Sequence, residues 1–125
     1  MFVVNEDKTI ECTRGDAGSF SVSASMGEAS YLFQPNDVLR LTVCAKKDYS
    51  NIMLQKDVTV TEETTSVEIS LDSDDTKFGG VINKPTEFWY TIELNPVGYC
   101  QTLVGHTKDG ARVFTLYPEA VGQEG

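Results

Sequence analysis

Basic residues are scarce in this sequence. Ten Lys and Arg stand against nineteen Asp and Glu, for a formal net charge of −9 at neutral pH. Binding to a nucleic-acid backbone draws on a basic stripe that releases counterions, and no such stripe is present, so nucleic acid is not an expected partner. The same field repels anionic membrane surfaces and favours solubility. Long apolar runs are missing as well. No stretch approaches the roughly 20 residues of a membrane-crossing helix, so no membrane insertion is expected. The opening Met1-Phe2-Val3-Val4-Asn5-Glu6-Asp7 has neither the basic start nor the apolar centre of a secretion signal, which predicts a cytoplasmic site of synthesis.

Cysteine is sparse and patternless. Cys12, Cys44 and Cys100 are odd in number, widely spaced and without a C-x-x-C pair. That argues against a disulfide framework and against structural zinc, and the three are read as reduced thiols acting as small strand residues. Histidine occurs once, at His106. This excludes two-histidine metal motifs and leaves a Ser-His-Asp arrangement a single base, with no G-x-S-x-G elbow beside it. His106 is therefore read as a loop residue. A phosphate-cradling loop is also lacking, because Phe78-Gly79-Gly80-Val81 is not followed by Lys-Ser/Thr. Helical periodicity is nearly absent. Only Leu71 to Phe78 fits one helical turn, capped by Asp72 or Ser73.

What is there is period two. In Val38-Leu39-Arg40-Leu41-Thr42-Val43-Cys44, the residues Leu39, Leu41 and Val43 alternate with Arg40, Thr42 and Cys44. Successive strand side chains point to opposite faces, so the first set is expected in a core and the second toward solvent. The same alternation turns Val67, Ile69 and Leu71 inward, and likewise Phe88, Tyr90, Ile92 and Leu94. Ala111 to Tyr117 is a further strand with apolar residues in both sets. Weaker strands fit Thr9 to Thr13, Ser19 to Ser25, Asn51 to Val60 and Cys100 to Val104. Gln34-Pro35-Asn36-Asp37, Asn95-Pro96-Val97-Gly98 and Lys108-Asp109-Gly110 read as turns. Strands recurring about every ten residues in 125 residues predict one domain, 1–125: an all-β, antiparallel, immunoglobulin-like β-sandwich of about eight strands.

Candidate chemistry is thin. Asp72, Asp74 and Asp75 are the densest carboxylates, but the spacing of a calcium loop, with its central Gly and final Glu, is not met; they read as a solvated, capped turn. Glu62, Glu63, Glu87 and Glu93 offer carboxylates for glycoside hydrolysis, yet outward acids are the default in so acidic a chain. Arg14-Gly15-Asp16 spells an adhesion tripeptide where a turn between strands is expected. Trp89, on the outward face of its strand beside Thr91 and Glu93, is the leading interface residue, with Tyr49 and Tyr99 near strand ends, because aromatics concentrate in interface hot spots. No catalytic, cofactor-binding or metal-binding residue is assigned, and no cofactor is expected.

Several short patterns fall in sequence. Cys12-Thr13-Arg14-Gly15-Asp16-Ala17-Gly18 follows a short strand and precedes an alternating one. Gln34-Pro35-Asn36-Asp37 leads into Val38-Leu39-Arg40-Leu41-Thr42-Val43 and then Lys46-Lys47. Leu71-Asp72-Ser73-Asp74-Asp75-Thr76 precedes Phe88-Trp89-Tyr90-Thr91-Ile92-Glu93-Leu94, and Gln101 to Gly105 and Arg112 to Leu116 close the series. The set resembles the N-terminal domain of phage baseplate upper proteins and related short prophage proteins of Gram-positive bacteria. The resemblance implies a non-enzymatic structural or assembly component of a phage tail or baseplate. Its partners would be other tail proteins or a second copy. It would be found in the bacterial cytoplasm during synthesis and then in the virion. The residues alone support a second expectation, a free-standing carbohydrate- or protein-binding sandwich in which Trp89 or the loop tyrosines stack on a ligand. An enzyme using two carboxylates ranks last, because the core fills a sandwich of this size.

Overall fold

The computed structural model describes residues 1–26, 29–46, 50–78, 82–98, 100–104 and 112–119. Among them lie eleven strands: β1 (Phe2–Val4), β2 (Ile10–Thr13), β3 (Gly18–Val22), β4 (Ser25–Met26), β5 (Ala29–Ser30), β6 (Val38–Cys44), β7 (Ile52–Thr59), β8 (Val67–Leu71), β9 (Thr86–Leu94), β10 (Gln101–Val104) and β11 (Arg112–Tyr117). All eight segments expected from the alternation are strands. The additional three, β1, β4 and β5, are too short for a period of two to show.

Seven strands form one sheet in the order β1-β2-β11-β9-β6-β7, with β10 also on β9. The expectation of a purely antiparallel sheet is corrected here. β11 runs parallel to β2, Phe114 beside Ile10 and Leu116 beside Cys12. Side-chain alternation is the same for both directions, so strand direction is invisible to it. β9 organises the sheet. β6 lies along one side, Leu39 opposite Leu94 through Cys44 opposite Trp89. The other side is shared: β10 covers Leu94 to Ile92, then β11 covers Tyr90 to Thr86. Val104 pairs with Ile92 and Arg112 with Tyr90. The turn expected at Lys108 to Gly110, and His106, lie outside the described residues.

The opposing layer is small. β3 and β8 pair antiparallel, Phe20 beside Ile69 and Val22 beside Val67, while β4 and β5 form a separate short hairpin. The architecture is thus two-layered and all-β, with one large mixed sheet under a minor one. The core is one cluster. Ile10, Leu39, Leu41, Val43, Phe88, Tyr90, Ile92, Leu94, Phe114 and Leu116 come from the large sheet, and Val22, Val67, Ile69 and Leu71 from the small one. Each full burial of such a side chain stabilises the fold by about 1.5–3 kcal/mol. Phe78 closes one end, edge-on to Phe88 at 4.9 Å and to Phe114 at 5.6 Å, geometries that add about 0.5–1.5 kcal/mol each.

Leu71 to Phe78 is not a helix. Residues 73–76 are hydrogen-bonded turns, because Asp72 and Asp75 bond each other's backbone: Asp75 N–H donates to Asp72 Oδ1 and Asp72 N–H to Asp75 Oδ2, both at 2.9 Å. The Gln34–Asp37 turn is present as expected, with Asn36 in the left-handed region (φ 76) behind Pro35, the pattern of a type II turn. Gly18 has a packing reason. A Cβ there would lie 2.2 Å from the Phe2 ring, so any larger residue would push β1 off β3.

Candidate interaction surfaces

The expected interface residues are scattered or beyond view. Tyr49 and Tyr99 lie outside the described residues. Trp89 sits on the outer face of the large sheet, between Cys44 of β6 and Val113 of β11. It is half-buried there. The face around it corrects one expectation. Thr42 and Cys44 do point away from the core, yet they are 8% and 1% exposed, and neighbouring Thr91 is 6% exposed. The centre of this face is therefore withdrawn from water. Its rim is polar: Arg40 forks onto Asp57 at 2.8 and 3.0 Å, and the Cys100 thiol lies 3.3 Å from Glu93 Oε2. The Arg40 guanidinium holds Asp57 below the ordinary carboxylate range.

The weighed carboxylates separate. Glu87 and Glu93 occupy one face of β9 six residues apart, about 20 Å along a strand. Paired catalytic carboxylates need roughly 5–10 Å, so these two form no such pair. Asp75 is occupied structurally. Burial alone would raise its pKa, but the Lys56 ammonium at 2.8 Å and the Asp72 amide bring it below the usual value. Among the described residues, no group of three His, Cys, Asp or Glu is placed to hold a metal ion. Cys12 and Cys44 are buried and Cys100 is exposed. Burial, with Asp16 adding to it, pushes the Cys12 thiol up to about 11.

Arg14-Gly15-Asp16 is a lock rather than a display. The Arg14 guanidinium donates to Glu119 at 2.6 Å and to the Lys77 carbonyl at 3.0 Å. Gly15, at φ +89, donates its N–H to Thr76 Oγ1, and that hydroxyl donates to the Asp16 carbonyl. Asp16 also pairs with the Met1 amine. The tripeptide thereby ties the β2–β3 turn to the turn after β8 and to the segment after β11. An integrin-style ligand projects its Arg and Asp outward; this Arg is 10% exposed.

Two features escape the sequence. The first is the edge of β7. This eight-residue strand pairs only with β6, so its far edge is unpaired among the described residues. Ile52 is 59% exposed, and Met53, Leu54 and Val58 are half-buried. The two charges in its middle, Lys56 and Asp57, are engaged with Asp75 and Arg40. A run of three apolar residues, Ile52-Met53-Leu54, without proline was the available signal. The second feature is a cleft of about 190 Å³ between the layers, lined by Val4, Asn5, Glu6, Lys8, Phe20, Ser21, Val22, Ser23, Tyr90 and Ile92. No sequence signal marks it, since its walls come from three distant segments. A shallower hollow of about 240 Å³ follows β7, lined by hydroxyls with Glu62 and Glu68.

No helix is long and apolar enough to cross a membrane among the described residues, which does not bear on membrane β-barrels. Comparison with protein-family profiles, with curated proteins and with solved structures finds no match.

Proposed function

We propose that this chain is a non-enzymatic assembly domain, a structural component of a phage or prophage tail or baseplate, joined to neighbouring protein chains through the edge of β7. The observation that carries the reading is that edge, unpaired among the described residues. A strand edge presents a row of backbone donors and acceptors that another strand can complete. Natural sheets block such edges with proline, bulges or free charge. Here a register shift at Met53 interrupts the start of β7, but from Leu54 to Thr59 the ladder is regular, Lys56 and Asp57 are neutralised within the fold, and Ile52 offers apolar area at the edge. The resemblance to baseplate upper proteins gives such an edge a setting. Carboxylate chemistry supports it too: among the described residues, the Asp and Glu whose acidity shifts are Asp7, Glu11, Asp37, Asp57 and Asp75, all downward, each as an acceptor in a structural bond.

The test is mass spectrometry of tail particles purified from an induced host culture, with wild-type chain and with Ile52→Lys/Gln55→Lys. Both positions are exposed on β7, so folding is expected to change by less than about 0.5 kcal/mol. Wild-type chain is expected at fixed stoichiometry with tail proteins, and the variant is expected to be lost from particles at least tenfold. Particles that form without the chain overturn the tail assignment. Full retention of the variant overturns the β7 edge as the contact.

A further inference from the structure

The cleft between the layers carries an inference that does not rest on the assembly reading. Its floor is Tyr90 and Ile92 of β9, and its apolar walls are Phe20 and Val22 of β3 and Val4 of β1. Its rim is polar: Asn5, Glu6 and Lys8 from the β1–β2 turn, with Ser21 and Ser23 opposite. Five lining residues are apolar and five polar, so the site is amphipathic.

The rim is pre-organised. Asn5 N–H donates to the Thr9 carbonyl and Lys8 N–H to the Asn5 carbonyl, both at 2.9 Å. The Asn5 amide donates to Thr9 Oγ1 and to Glu11 Oε2, each at 3.0 Å. Asp7 accepts from the Thr9 amide and hydroxyl. From below, the Tyr90 hydroxyl donates to the carbonyl of Lys8, a residue held in the left-handed region at φ 70. A ligand entering this site orders little further chain, which lowers the entropic cost of binding.

Size and polarity select the ligand. An apolar cavity of about 150 Å³ takes a benzene ring, so about 190 Å³ takes one six-membered ring with small substituents. A purely apolar ring would use the floor alone and leave the exposed rim donors and acceptors to water, gaining nothing from them. A strongly charged ligand would meet an apolar floor and, at the rim, charges of both signs in Glu6 and Lys8. A pyranose matches both halves. Its C–H face lies against aromatic and aliphatic side chains, and its hydroxyls both donate and accept. The side chains of Glu6, Lys8, Ser21 and Ser23 make no hydrogen bond or ion pair with another described residue, so their bonding capacity is open.

We propose that this cleft is a binding site for a single pyranose ring, held between the β1–β2 turn and β3 over Tyr90 and Ile92. A hexose of about a dozen heavy atoms, at the efficiency of ordinary ligands, binds with Kd of about 1 mM.

The experiment is an amide ¹H–¹⁵N NMR titration of the full chain with D-glucose, D-galactose and N-acetyl-D-glucosamine, to concentrations well above that Kd. Phenol is titrated separately. At least one sugar is expected to give saturable shifts confined to residues 4–8, 20–23 and 90–92. Ser23→Trp, a filling substitution at an exposed position, is expected to abolish them while the rest of the spectrum is kept. Glu6→Gln is expected to weaken binding about three- to tenfold, and it removes any dependence on the bulky variant. Saturable shifts with phenol and with none of the sugars overturn the ligand class. No saturable shift with any probe, or shifts that survive both substitutions unchanged, overturn the site.

Discussion

Thr76 shows how much one hydroxyl can hold. It is fully buried and accepts from the Gly15 amide, while its own proton is directed to the Asp16 carbonyl at 2.9 Å, with the Ser73 carbonyl at 3.3 Å. Thr76→Val keeps the shape and strands the Gly15 donor, so a loss of about 1–3 kcal/mol is expected by denaturant unfolding. Asp37 is a second junction. Its carboxylate accepts from the Tyr31 hydroxyl at 2.8 Å, the Gln34 amide at 2.9 Å and the Asn95 amide at 3.1 Å. Burial opposes ionisation, but these donors outweigh it, and the pKa falls below its ordinary 3.8. A carboxyl whose folded pKa is depressed adds stability that is complete above 3.8 and lost as pH falls through the lower folded value. Asp37→Asn puts a donor among donors. It is expected to cost about 1 kcal/mol at pH 7, with the gap to wild type closing below pH 3.8 in thermal melts at stepped pH.

At the scale of elements, β9 and β7 are opposites. β9 has strands on both sides and is buried along its inner face, with Phe88, Tyr90, Ile92 and Leu94 at 1–5% exposure. Among the described residues β7 has one neighbouring strand, and it has no fully buried residue. Ile52 and Gln55 are themselves exposed, so Ile52→Lys/Gln55→Lys should leave the unfolding free energy within about 0.5 kcal/mol of wild type while disrupting edge contacts. A fall of several kcal/mol would mean that β7 is built into the fold rather than offered to a partner. The strand assignments themselves were legible. Val67 to Leu71 buries every second residue as the alternation demands, and so does the inner face of β6. Thr42 and Cys44 were placed on the correct side, but their burial was hidden, because a polar-looking face says nothing about what lies across it.

For the whole molecule, the parallel pairing of β2 with β11 brings an early strand beside the last described one. Arg14 and Glu119, 105 residues apart, then meet at 2.6 Å. Burial sorts the thiols. Cys12 and Cys44 are buried and Cys100 is exposed, although partial desolvation and the Glu93 carboxylate beside it raise its pKa and slow its reaction. One thiol per chain is expected to react with a thiol-specific reagent in the native state and three after unfolding. Reaction of a second native thiol would show that one layer opens readily.

The sequence by itself determined what is local. The −9 charge, the period-two runs and the Pro-Asn and Asn-Pro turns specified an all-β chain and eight of its strands, because alternation and turn preference are properties of neighbouring residues. Tertiary structure alone decided which strands became neighbours and in which direction. It buried Arg14 in a lock and drew Val4, Ser21 and Tyr90 around one cleft. Those outcomes depend on contacts between residues tens of positions apart, and no local pattern encodes them.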